Sequence, residues 1–82
     1  MRRHRDRWQA ITNARPIPKR THQRDLPQPV PVRVTLHWEH DGTELRDVEA
    51  VAWAGRDVLV EVDDPRLRIR WVWLDADDVV RA

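Results

Sequence analysis

Eighty-two residues without a cysteine leave room for one small domain and exclude a disulfide framework. The formal net charge of +1 hides a division: residues 1–29 carry eight basic side chains against two carboxylates, a net of +6, whereas residues 30–82 carry seven arginines against twelve carboxylates, a net of −5. No apolar run approaches the roughly 18 residues of a membrane helix, and the basic start has no apolar segment behind it of the kind a secretory signal needs.

Residues 1–14 offer at most one short helix, with Trp8 and Ile11 three apart and Ala10 and Ala14 tolerant of the conformation. Residues 15–31 read as extended linker, because Pro16, Pro18, Pro27, Pro29 and Pro31 each fix φ, remove a donor and bias the preceding residue away from helix. Residues 1–29 are therefore expected to form a basic, largely extended or disordered N-terminal arm.

From Val30 the pattern has period two. Val30, Val32, Val34, Leu36 and Trp38 alternate with Pro31, Arg33, Thr35, His37 and Glu39, the pattern of a half-buried strand. Asp41-Gly42 marks a tight hairpin turn. A two-residue loop there sets Trp38 opposite Leu45, and one extra residue near Arg46-Asp47 would be needed to bring Val48, Ala50 and Ala52 onto the core face, so a bulge is expected at that point. Ala54-Gly55-Arg56-Asp57 is the next turn, after which Val58, Val60 and Val62 define a third strand. Asp63-Asp64-Pro65-Arg66 turns the chain again. Leu67, Ile69, Trp71 and Trp73 then suggest a fourth strand, residues 74–78 one helical turn, and Val79-Val80-Arg81 a last short strand. Four to five short antiparallel strands in some fifty residues favour a small closed β-barrel over residues 30–82, since closure protects edges that so small a sheet cannot cover.

This order of elements resembles a Tudor-like barrel of the Src-homology-3 type. The residues that carry the resemblance are Asp41-Gly42, Ala50-Val51-Ala52-Trp53, Val58 to Val62, and Trp71-Val72-Trp73-Leu74 followed by Asp77-Asp78-Val79. The chain is also similar to small actinobacterial proteins with a Val-Trp-Leu … Asp-Val ending, which brings no activity with it. The resemblance to Tudor-like barrels implies binding of proteins or nucleic acids, in some cases through an aromatic cage for methylated side chains. This chain has five Trp but neither Tyr nor Phe. Of the Trp residues, Trp38, Trp71 and Trp73 fall on expected core faces and Trp53 on the opposite one, which makes Trp53 the candidate for a partner surface.

The residues that carry chemistry elsewhere are sparse. No Cys or Ser supplies a nucleophile, and no base accompanies Thr12, Thr21, Thr35 or Thr43, so no enzyme activity is expected. His37 and His40 are three apart, which on a strand points them to opposite faces, and no metal or cofactor is expected. Asp75, Asp77 and Asp78 lack the Gly and Glu of a calcium loop and read as carboxylates at the start of a helical turn. Arg66, Arg68 and Arg70, at period two, would share an outward strand face and form either a phosphate-tracking stripe or a solvated face paired across strands with glutamates.

The function these features suggest is a non-enzymatic binding module. Arg2, Arg3, Arg5, Arg7, Arg15, Lys19, Arg20 and Arg24 would contact nucleic acid or another polyanion through phosphate charge. Trp8 would add stacking on an unpaired base. The acidic barrel would act as an anchor or contact a protein. Two other readings stay open. One is a protein-interaction module without a nucleic-acid role, the arm folding back on the barrel or lying outside the native chain. The other is an antitoxin-like protein. Fourteen Arg to one Lys, with abundant Val, Asp and Ala, matches GC-rich bacterial coding, and a bacterial cytoplasmic setting is the expectation.

Overall fold

The computed structural model of the chain describes residues 8–82. Its architecture is all-β: β1 (Arg24–Trp38), β2 (Gly42–Ala54), β3 (Asp57–Glu61), β4 (Trp71–Asp75) and β5 (Val79–Arg81). All pair antiparallel in one sheet of order β4-β3-β2-β1-β5. The period-two pattern of the first strand is realised. Val32, Val34, Leu36 and Trp38 are buried and meet Ala50, Val60, Val62, Val72 and Leu74 in the main core. Leu36, Leu74, Val34, Val60 and Val62 are almost wholly removed from water. Each such side chain contributes about 1.5–3 kcal/mol of transfer free energy. A smaller cluster of Ala52, Ala54 and Trp73, with Leu59 against it, lies on the other face of β3 and β4 from the main core.

The hairpin register differs from the expected one. Trp38 pairs with Gly42 across a three-residue loop, Glu39-His40-Asp41, and Gly42 takes φ +83°, which a residue with a Cβ adopts only with strain. This loop changes the parity of the pairing by itself, so β2 turns Val48 and Ala50 toward the main core without a bulge at Arg46-Asp47, whereas Ala52, beyond a later irregularity, pairs with Leu59 and joins the smaller cluster. The register runs unbroken from Val30↔Ala50 to Trp38↔Gly42. The irregularities lie elsewhere, between Asp25 and Val30 on β1 and between Ala50 and Ala52 where β2 meets β3. The first explains how a strand passes through Pro27 and Pro29: both sit in the bulged stretch, which has no partner on β2 for their missing N–H groups.

The sheet does not close into the expected barrel. β5 is only three residues long and pairs with Val32–Val34 of β1, and no ladder joins it to β4 among the described residues. The remaining edges are met by the N-terminal segment. Ile11 bridges Trp38 and Ala14 bridges Leu74. Thr12 N donates to His37 O, Glu39 N to Ala10 O, and Arg15 N to Trp73 O. Between these backbone contacts the Asn13 side chain acts like a piece of strand: its Nδ2 donates to Thr35 O and Asp78 Oδ2, and its Oδ1 accepts from His37 N. The edges of β1 and β4, which would otherwise expose unpaired groups, are thus covered.

Two boundaries therefore move. β1 begins at Arg24, six residues before the expected start, and Ile11, placed in the arm, is 7% exposed within the core. From Trp8 to His22 the segment has no helix longer than a turn: it turns at Thr12-Asn13, where Ala14 N donates to Ile11 O, and again in a 3-10 turn at Arg20–His22, and it lies on the sheet from Trp8 to Arg15. The fourth strand begins at Trp71 rather than Leu67. Residues 62–70 form a loop instead, because the Asp64 carboxylate accepts from Arg66 N and holds the turn that stops pairing at Pro65. The end of the chain follows expectation, with a 3-10 turn at Ala76–Asp78 capped by Asp75, whose side chain accepts from Asp77 N. No helix among the described residues is long and apolar enough to cross a membrane.

Candidate functional site

The site residues named from the sequence separate into three groups. Arg2, Arg3, Arg5 and Arg7 lie outside the described residues. Arg66, Arg68, Arg70, Trp8 and Arg15 are engaged in holding the fold. Lys19, Arg20, Arg24 and Trp53 stand exposed and close together.

The second group corrects the expected basic stripe, since Arg66, Arg68 and Arg70 leave the strand and turn to different partners. Arg66 folds over Trp38, its Cζ 3.7 Å from the ring centroid, and donates to Asp64, Asp41 and Glu44. Trp38 Nε1 donates to the same Glu44 Oε1 at 2.9 Å. Arg46 Nη1 reaches Asp64 at 2.6 Å, so one carboxylate, only 8% exposed, serves two guanidinium groups. The Arg66 bond holds the Asp64 carboxyl well below the usual carboxylate range, against a burial effect of opposite sign, and Asp64 in turn raises Arg66. Arg68 lies 4.6 Å from the Trp8 centroid, and Arg70 donates to Glu61 at 3.1 Å. Arg15 Nε is 3.4 Å from Asp57 Oδ1. Trp71, expected in the core, is 48% exposed, because Val72 and Leu74 on the following positions take the inward face of β4.

Of the third group, Lys19, Arg24 and Trp53 line a groove, and Arg20 does not. Pro16 and Pro18 keep the chain extended up to Lys19, whose φ of −58° and ψ of 140° leave it just outside the 3-10 turn. His22 N donates to Lys19 O and Gln23 N to Arg20 O, and Gln23 Nε2 closes the turn on Pro18 O at 2.9 Å. Arg24 then enters β1 opposite Trp53, with its Nη1 donating to Thr21 O and Gln23 O. The two-residue loop Gly55-Arg56 between β2 and β3 forms the far wall, with Gly55 at φ +59°. The result is an open groove of about 430 Å³ lined by Lys19, His22, Arg24, Trp53, Gly55 and Asp57 among others. The irregularity between Ala50 and Ala52 sets Trp53 opposite Val58, on the side of the main core rather than the outward face expected for it, yet it is 45% exposed at the end of β2 and borders a second groove of about 260 Å³ walled by Leu26, Val30, Ala50, Val58 and Val79.

The cations around this groove differ from most arginines of the body. Arg33, Arg46, Arg56, Arg66 and Arg70 each hold one or more carboxylates. Among the described residues no carboxylate lies within ion-pair distance of Lys19, Arg20, His22 or Arg24, and the groove's own Asp57 is taken by Arg15. Chemically this is a cationic rim beside an exposed indole, able to hold an anion and to offer an aromatic face. His22 was not singled out from the sequence; its place three residues after Lys19 and two before Arg24, in a run without carboxylates, was the available signal. His37 Nδ1 lies 2.9 Å from Thr43 Oγ1 and His40 lies 3.8 Å from Glu39, and no three metal-ligating side chains gather among the described residues. No family model, curated protein or solved structure matches the chain.

Proposed function

We propose that the chain is a non-enzymatic binding module in which the basic N-terminal segment holds nucleic acid or another polyanion and the acidic β-sheet body anchors it. The observation that carries this reading is the groove at Lys19, His22 and Arg24, where Lys19 and Arg24 have no carboxylate partner among the described residues while Arg33, Arg46, Arg56, Arg66 and Arg70 do. Phosphate contacts of this kind supply affinity and position with little reading of base sequence. Their signature is salt dependence, since each neutralised phosphate releases counterions.

The test is a titration of the full chain against a labelled oligonucleotide across a salt series. The expected result is an affinity that falls steeply with salt, with a flatter slope in the Lys19→Ala/Arg24→Ala variant. An affinity that does not respond to salt contradicts the reading. Absence of binding at low salt would turn attention to a protein contact, for which Ile69 and Trp71, 69% and 48% exposed and two residues apart, are the surface to probe.

A further inference from the structure

We infer that the groove selects unpaired nucleic acid, with Trp53 as the platform on which a base stacks and Lys19, His22 and Arg24 as the contacts to the flanking phosphates. The inference rests on the polyanion reading above and adds to it the class of ligand and the residue that distinguishes it. Trp8, the aromatic residue of the arm, is a poorer platform because the Arg68 guanidinium already occupies one side of its ring at 4.6 Å. Trp38 is covered by Arg66 and 4% exposed, and Trp73 is 6% exposed. Trp71 is 48% exposed but lines neither groove, whereas Trp53, 45% exposed, borders both, the cationic one on the side of Lys19 and the apolar one on the side of Val30 and Val58. A nucleotide has the same two-part chemistry, a charged phosphate joined to a flat base with an apolar face. A base in a duplex is already stacked on its neighbours above and below, so only an unpaired base can exchange that stacking for an indole. Alternating phosphate and base contacts along a cationic, aromatic-bearing groove are the physical basis of single-strand binding that tolerates any sequence.

The experiment compares three probes at low salt on the full chain: oligothymidylate, a hairpin duplex, and heparin, which has charge but no bases. The expected result is tighter binding of oligothymidylate than of the duplex, with quenching of tryptophan emission. Trp53→Ala should weaken oligothymidylate binding about 5- to 150-fold, the range of one base–aromatic stack. Trp53→Phe should retain most of the affinity, and neither change should alter heparin binding. Circular dichroism checks the fold of each variant. Should the alanine variant unfold, the quenching carried by Trp53, read as the part lost in Trp53→Phe, decides the matter. Equal affinity for duplex and single strand, or an unchanged oligothymidylate affinity in folded Trp53→Ala, overturns the inference and leaves the polyanion reading intact. Failure of all three probes to bind overturns both.

Discussion

Residues 8–15 and residues 19–24 come from the same basic stretch of sequence, yet the fold uses them in opposite ways. In the first, every notable side chain is committed: Ile11 enters the core, Asn13 dresses the edge of β1, Arg15 meets Asp57, and Trp8 lies under Arg68. In the second, a 3-10 turn holds Lys19, His22 and Arg24 out around a groove, and the hydrogen bonds that shape it come from backbone, from Gln23 and from one Arg24 nitrogen, none of them to a carboxylate. A cluster of positive charge in a sequence thus does not define one functional unit. The difference lies in whether the fold supplies carboxylates and apolar surface to consume the segment.

This contrast can be broken most severely at Ile11. Ile11→Ala should lower stability by about 2–5 kcal/mol, the usual range for removing a buried branched side chain, whereas Ile17→Ala, at a position 80% exposed, should stay within about 0.5 kcal/mol. Chemical denaturation of the two variants checks the pair, and equal effects would mean that residues 8–15 do not contribute to the core.

Next in size is Asp64, which ties the loop of residues 62–70 to the hairpin through Arg66 and Arg46. Asp64→Asn should cost about 1–3 kcal/mol through loss of charge-assisted hydrogen bonds. Because the folded-state carboxyl is held below its ordinary value, its stabilisation is complete above the unfolded carboxylate value of about 4 and is lost as pH falls below it. Thermal midpoints measured between pH 7 and pH 2 should therefore fall less steeply for Asp64→Asn than for the wild type. Parallel curves would show that the cluster contributes nothing to acid sensitivity.

Asn13 is a smaller lever. Asn13→Ala leaves Thr35 O and His37 N without their side-chain partner and should cost about 1 kcal/mol, with faster amide exchange at His37 as the local readout. Smallest of all in stability is the pair Lys19→Ala/Arg24→Ala. These side chains are exposed, and water can replace the Arg24 bonds to Thr21 O and Gln23 O, so the change should stay within about 0.5 kcal/mol.

Much of the sheet was legible in the sequence because burial on one face imposes period two. Val32 to Trp38, Val58 to Val62, the Gly42 and Gly55 turns and the Asp75 cap all follow from local chemistry. The hairpin register was not legible, since one residue more or less in the loop exchanges the faces of a whole strand and Asp-Gly serves both loop lengths. The extension of β1 through Pro27 and Pro29 depends on a bulge that relieves the prolines of pairing, which no local signal announces. The docking of residues 8–15 rests on backbone bonds and one buried Ile, features that a charge count does not reveal. The arginines of residues 66–70 were read from spacing alone, and Asp64 and Trp38 drew Arg66 away from that face. For the candidate site, the cations and Trp53 were named from the sequence. Their meeting was not, because it requires β1 to begin at Arg24, opposite Trp53.

The division within the N-terminal segment is tested most directly by measuring thermal midpoint and oligonucleotide affinity together for Ile11→Ala and Lys19→Ala/Arg24→Ala. Ile11→Ala should lower the midpoint by at least about 8 °C and, below its transition, bind as the wild type does. Lys19→Ala/Arg24→Ala should hold its midpoint within about 4 °C while the slope of log affinity against log salt flattens by about 1.4, the share of two phosphate contacts on a single strand. An unchanged slope in that double variant, or a midpoint that falls as far as that of Ile11→Ala, would contradict the account.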